Sequence, residues 1–231
     1  HGEQPVRDAG RLHMRAAAEL AGLLKSRSAP EASVGLATVN AVVNPEADGL
    51  VESRAVEVLR ERAAGRALAM VGRFPFADQL EQTVSRLWIF ERGIGRRSED
   101  HGEDEMPEVL PRADVVAITA TTLMNGTLPR ILAAVRSDAF LMMLGPSTPM
   151  TPVLFDLGFD VLCGTVVEDV ELGEGDAGDA GDLDGLAHEG CIEPAAAPGA
   201  AGDDAELVAA LAEALADLVV EFSRERAGTD A

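Results

Sequence analysis

Residues 115–149 read VVAITATTLMNGTLPRILAAVRSDAFLMMLGPSTP, and this stretch decides the fold. An apolar run at 115–119 passes into a cluster of threonines closed by Asn125 and Gly126. Residues 128–136 then carry apolar positions at helical spacing, and a second apolar run, 140–144, ends in Gly-Pro-Ser-Thr-Pro. Strand, helix and strand in that order make the crossover unit of a parallel sheet. Working outward, further strands are expected at 67–71, 87–90 and 161–163, with helices near 76–85, 105–110 and 150–156. The middle strands are bounded by charge or glycine, as strands buried on both faces are. The expected fold is α/β, a small doubly wound parallel sheet with helices on both faces.

Upstream, apolar spacing predicts helices over 12–25 and 31–43, the latter ended by Asn44 before Pro45. Ser53 is the expected N-cap of a third helix, 54–64, closed by Gly65. Residues 1–65 are therefore expected to form a helical first domain and residues 66–231 an α/β second one. Between 166 and 193 lie ten acidic residues and no lysine or arginine. Lacking the spacing of known cation loops, this stretch reads as a solvated, mobile insertion. A final helix is expected over 203–226, with Leu207, Leu211, Leu215, Leu218 and Phe222 as its packing stripe.

Charge excludes several functions. Forty acidic residues against nineteen basic give a net charge of −21 in 231 residues. Such a chain lacks the basic footprint of a nucleic-acid binder and is repelled by anionic lipid. No apolar run reaches the roughly 20 residues that span a bilayer. Two cysteines do not make a disulfide framework, so a reducing cytoplasm is the expected setting.

Ligands in parallel sheets bind beyond the carboxyl ends of the strands, and the unusual residues of this chain gather there. The first strand runs into Gly72, Arg73, Phe74, Pro75 and Phe76, where glycine permits close backbone approach. The glycines of a diphosphate cradle are missing. Glu91, 19 residues after Gly72, ends the second strand, about where dinucleotide folds place a ribose-binding acid. The third strand leads to Thr121, Thr122, Asn125, Gly126 and Thr127, the last able to cap a helix before Pro129. The fourth leads to Gly145, Pro146, Ser147 and Thr148, with a second capped helix expected from Pro149. Two adjacent helix starts would favour a carboxylate or phosphate. Cys163, at the end of the fifth strand, is a weak metal candidate and more readily a packing residue. No C-x-x-C or H-E-x-x-H spacing marks a zinc site.

Taken together, residues 31–44 (EASVGLATVNAVVN), the GRFPF loop, Glu91, TATTLMNGT and GPSTPM resemble a prokaryotic family known as putative heavy-metal chelation proteins. The resemblance covers roughly residues 11–169. It implies an enolase-N-terminal-like domain joined to a Rossmann-like domain, with the site where they meet. It also implies an upstream portion that supplies the first domain's strands, here expected from a missing segment or a second polypeptide. Asn40 enters by this resemblance alone, as a polar side chain facing the second domain, with a buried structural amide as the competing explanation.

Three functions follow as expectations. The first is a small-molecule protein, and an enzyme of unset reaction class, holding an anionic or adenosyl-containing ligand such as S-adenosylmethionine, with Glu91 on the ribose. The second, implied by the resemblance, is a protein that binds a heavy metal or metal chelate. The third is a non-catalytic acidic subunit of a complex. A homodimer is also expected.

Overall fold

The computed structural model describes residues 6–43, 54–92, 97–167 and 187–194. The helix expected over 54–64 runs Ala55–Arg62 with Arg54, not Ser53, as its N-cap. Ser53 itself, the centre of the acidic stretch and the helix expected at 203–226 lie outside the described residues.

Six strands form one sheet: β1 (Ala67–Val71), β2 (Arg86–Phe90), β3 (Val115–Thr119), β4 (Phe140–Leu144), β5 (Val161–Val167) and β6 (Ala187–Ile192). Their order is β2-β1-β3-β4-β5-β6. The first five run parallel, and β6 returns antiparallel to β5. Because β2 lies to one side of β1 and β3 to the other, the strand order reverses between β1 and β3. A crevice opens at such a reversal in open α/β sheets.

Strand alternation sorts the core into two layers. Val71, Phe90, Ile118 and Met143 face one side, buried with α2 (Ala29–Val43) and the short helices α4 (Met106–Val109), α5 (Thr121–Met124), α6 (Leu128–Ala134) and α7 (Pro152–Asp156). Leu68, Met70, Ala117, Met142 and Leu144 face the other, under Leu59 and Ala63 at the end of α3 (Ala55–Arg62). Near-continuous apolar strands are what burial on both faces requires.

Several local expectations change. The helix expected over 12–25 is broken into a 3-10 turn (Leu12–Met14), α1 (Ala17–Ala21) and a second 3-10 turn (Gly22–Lys25). The second turn lies where the backbone of residues 23 and 24 presses on Gly35 of α2. The helix expected near 76–85 is a single 3-10 turn, Ala77–Leu80. Residues beyond it are drawn into pairing with the start of β1: Ser85 N–H donates to Arg66 O and Gly65 N–H to Thr83 O, both at 2.9 Å.

The largest corrections concern the acidic stretch and the cysteines. Its two ends are not insertion: β5 runs on to Val167 and the chain returns as β6. The return places Cys191 in register with Cys163, and the two form a disulfide. Cys163 is therefore not a free thiol available to a metal in this structure, and a chain with only two cysteines still makes one bridge.

Candidate functional site

At the carboxyl end of β1, Gly72 adopts φ +101, a left-handed conformation that side chains rarely adopt. Its N–H donates to Phe90 O at 2.8 Å. A Cβ there would stand 3.0 Å from the Thr119 methyl, so the glycine lets β1 and β3 approach at the strand-order reversal. The next amide, Arg73 N–H, donates to Glu91 Oε2 at 2.7 Å, and Arg92 N–H donates to Glu91 Oε1 at 2.6 Å. Glu91 thus ties the GRFPF loop to the end of β2. The Arg73 guanidinium, only 12% exposed, pairs with buried Asp100 and with Asp78 at 2.9 Å. Burial alone would raise the Asp100 carboxyl. The Arg73 hydrogen bonds and the Arg97 amide outweigh it and hold Asp100 below its ordinary value. The loop therefore rests on a fixed ion pair, and Phe74 and Phe76 stack beyond it with ring centres 5.6 Å apart.

At the end of β3, Thr119 and Thr121 share a hydroxyl hydrogen bond of 3.2 Å. Thr122 is buried, its hydroxyl donating to Thr119 O at 2.8 Å. Asn125 Oδ1 accepts both the Thr127 N–H (3.1 Å) and the Thr127 hydroxyl (2.6 Å), closing an Asx turn around Gly126 at φ +68. The Thr127 hydroxyl is engaged backward, so it makes no cap bond to α6. In the next loop the helix starts at Pro152 with Thr151 as N-cap, three residues later than expected, and again without a side-chain cap bond. Of the two expected capped starts, Thr127 stands at the N-cap of α6 without the side-chain bond, and none forms at Ser147 or Thr148; α6 and α7 have seven and five residues.

What the Gly145 loop does instead is join two elements. Asn40, on α2, donates through Nδ2 to Ser147 O at 3.0 Å and so ties α2 to the loop after β4. Its Oδ1 and the hydroxyl of buried Thr148 are enclosed with no partner among the described residues. Enclosed polar atoms without partners are costly, and a bound water or ligand atom is the usual remedy.

On the opposite side of this loop lies a cavity of about 420 Å³. Its walls are Phe74, Pro75 and Phe76 from the β1 loop, Gly145 and Pro146 from the β4 loop, and the β5–β6 edge at Cys163, Thr165 and Glu189. Arg54, at the start of α3, adds a cation. Of the residues expected from sequence, Phe74, Pro75, Gly145, Pro146 and Cys163 line this cavity, the last as half of the disulfide. Ser147 and Thr148 lie in the same loop on the Asn40 side, and Gly72, Glu91, Thr121, Thr122, Asn125, Gly126 and Thr127 build the neighbouring strand ends. Sequence reasoning missed Arg54, Gln79, Thr165 and Glu189. The last two become visible only once β6 is paired with β5.

With this geometry in place, two family models bear on the chain. The DUF364 family, described as "Putative heavy-metal chelation", matches residues 54–181. The chain belongs to this family. A second model with the same description matches residues 2–43. An uncharacterized protein from Methanocaldococcus jannaschii is 29% identical over 149 residues, covering 61% of this chain and 56% of that protein. The chain thus spans little more than half the length of that relative. A solved DUF364 protein of unknown function from Desulfitobacterium hafniense superposes with a TM-score of 0.71 at 26% identity, over 83% of this chain and 81% of that one. Another, from Pyrococcus horikoshii, gives 0.67 at 20% identity, over 78% and 75%, and is alike in fold.

The family description invites a test of metal fit. Among the described residues no group of three or more histidine, cysteine, aspartate or glutamate side chains is placed to hold a metal ion. With the cysteines bridged, these side chains do not form a cage for a bare cation. Nor, among the described residues, is any helix long and apolar enough to cross a membrane.

Proposed function

We propose that this DUF364 protein binds a metal chelate, an organic ligand carrying a heavy-metal ion as cargo, in the cavity between the carboxyl end of β4 and the β5–β6 pair. The observation that carries the reading is the lining of that cavity. Its volume suits an organic molecule. Its walls offer stacked aromatic rings, strand-edge backbone and one guanidinium, while no side-chain cage for a bare ion stands among the described residues. Phe74 and Phe76 would cover the organic part, and Arg54 would meet its carboxylate or phenolate oxygens. The protein then recognises the chelator and leaves the metal's inner ligands to it. The adenosyl reading lacks such support, since the Glu91 carboxylate is engaged by two backbone amides. The Cys163–Cys191 bridge removes the cysteine-based ground for expecting a reducing cytoplasm.

Calorimetric titration of the oxidised protein tests this, using iron(III) and nickel(II) complexes of citrate and of a catecholate. Metal-free ligands and the bare cations serve as controls. One complex should bind saturably and more tightly than either of its components, and Phe74→Ala or Arg54→Ala should weaken it about tenfold, the worth of one good contact. Failure of every complex to bind, or equal affinity for the bare cation, would refute the reading.

A further inference from the structure

The Cys163–Cys191 pair is more than a clasp on the sheet edge. We propose that its reduction opens a two-thiolate site for a thiophilic divalent cation of the zinc and cadmium type. The step is balanced by a dithiol reductant: it gives two electrons and two protons, leaves as its own disulfide, and releases Cys163 and Cys191 as thiols. The cation then displaces both thiol protons and forms two metal–sulfur bonds.

Three observations carry this. First, the two cysteines face each other in register, with Cα atoms 4.1 Å apart, inside a ladder of six consecutive pairs from Leu162↔Ile192 to Val167↔Ala187. That ladder is held by backbone hydrogen bonds, so opening the disulfide leaves the two side chains opposed. Rotation about each Cα–Cβ bond then brings the sulfurs to about 4 Å, the separation set by two bonds of about 2.3 Å to one ion. Second, β5 is gripped independently of the disulfide. A Cβ at Gly164 would stand 3.0 Å from Thr148 O and from Met150 Sδ, so the strand lies tightly under the β4 loop. Third, Cys163 lines the cavity, which gives an ion a path to otherwise buried sulfur. Glu189, two residues before Cys191 on the same strand, lines that cavity too and adds a negative charge along the ion's path. Two thiolates are a soft, anionic pair that selects such cations over magnesium or calcium.

This site does not rest on the chelate-binding reading, which concerns the oxidised form and depends on Phe74 and Arg54. The test uses the full chain, reduced with dithiothreitol, desalted without oxygen and titrated with cadmium chloride. Expected is an ultraviolet thiolate-to-cadmium charge-transfer band that saturates at one ion per chain, with two protons released. The protein kept oxidised should show no band, and Cys163→Ser and Cys191→Ser should each lose its saturation at one equivalent. Glu189→Gln should keep the band and weaken the affinity. No band in the reduced protein, or an equal band in either serine variant, overturns the proposal. Should a serine variant prove misfolded by circular dichroism, the oxidised and reduced wild-type samples still decide. Phe74→Ala should leave the cadmium band unchanged, so the two readings fail separately.

Discussion

Gly35 shows how much a single hydrogen atom can matter. A Cβ at this position would stand 2.1 Å from the Leu24 amide nitrogen and 2.7 Å from the Leu23 carbonyl carbon. Both obstacles are backbone, so no side chain can swing aside. Alanine would gain about 1 kcal/mol in helix propensity, but forcing α2 off the chain it crosses costs more. Gly35→Ala should therefore destabilise the protein by about 2 kcal/mol, read as a lower urea midpoint from the fluorescence of Trp88, the sole tryptophan. An unchanged midpoint would mean that the crossing yields freely. Glu91 makes a second case at this scale. Its position at a strand end was legible in the sequence, whereas its partners were not, because backbone amides leave no mark on a residue pattern. If it holds the GRFPF loop through Arg73 and Arg92, Glu91→Gln should lower stability by roughly 1–2 kcal/mol, and chelate affinity with it. Lost binding of a ribose-containing ligand with unchanged stability would return Glu91 to its sequence-derived role.

Among elements, legibility followed burial. Strands β1, β3 and β4 stand where their apolar runs placed them, since a strand covered on both faces is written almost wholly in apolar residues. β6 escaped for the converse reason. Its sequence, AHEGCI, follows a glycine- and aspartate-rich stretch and has little strand propensity of its own, so its order comes from pairing with β5. The helix starts misled because threonine hydroxyls have several acceptors within reach; that of Thr127 takes Asn125 rather than a helix amide. Helix α2 and the segment before it share another device. The Glu31 carboxyl receives the Arg7 guanidinium at 2.8 Å, the Ser26 hydroxyl at 2.6 Å and the Arg7 N–H at 3.2 Å. The Arg7 and Ser26 side-chain bonds, then the Arg7 amide, hold it down from 4.5 to about 2. A lowered acid stabilises the fold fully above its unfolded value and loses that contribution as pH falls toward the folded one. Docking of residues 6–28 onto α2 should thus loosen as pH drops from about 4.5 to about 2. Hydrogen exchange at α1 amides should rise across that window in the wild type and should already be raised at neutral pH in Glu31→Gln. Exchange that ignores both changes would remove Glu31 as the anchor.

For the molecule as a whole, the disulfide and the charge act on the same edge. The bridge joins residues 28 apart. Closing a loop of that length restricts the unfolded chain by about 3–4 kcal/mol on the chain-entropy model. The enclosed sequence carries eight acids between residues 168 and 184 and no lysine or arginine, so returning the chain to form β6 also brings like charges together. Repulsion of this kind opposes β6 pairing most when the bridge is open, and salt screens it. Reduction should therefore lower the melting temperature by about 10 °C. High salt should recover more of the loss in the reduced protein than it adds to the oxidised one. Thermal melts of both forms at low and high salt measure the difference directly. Equal melting temperatures would show that the β5–β6 ladder holds without its bridge, which would leave the opposed thiols of the reduced form better ordered still. A large fall that salt does not reverse would assign the bridge's contribution to the unfolded chain alone.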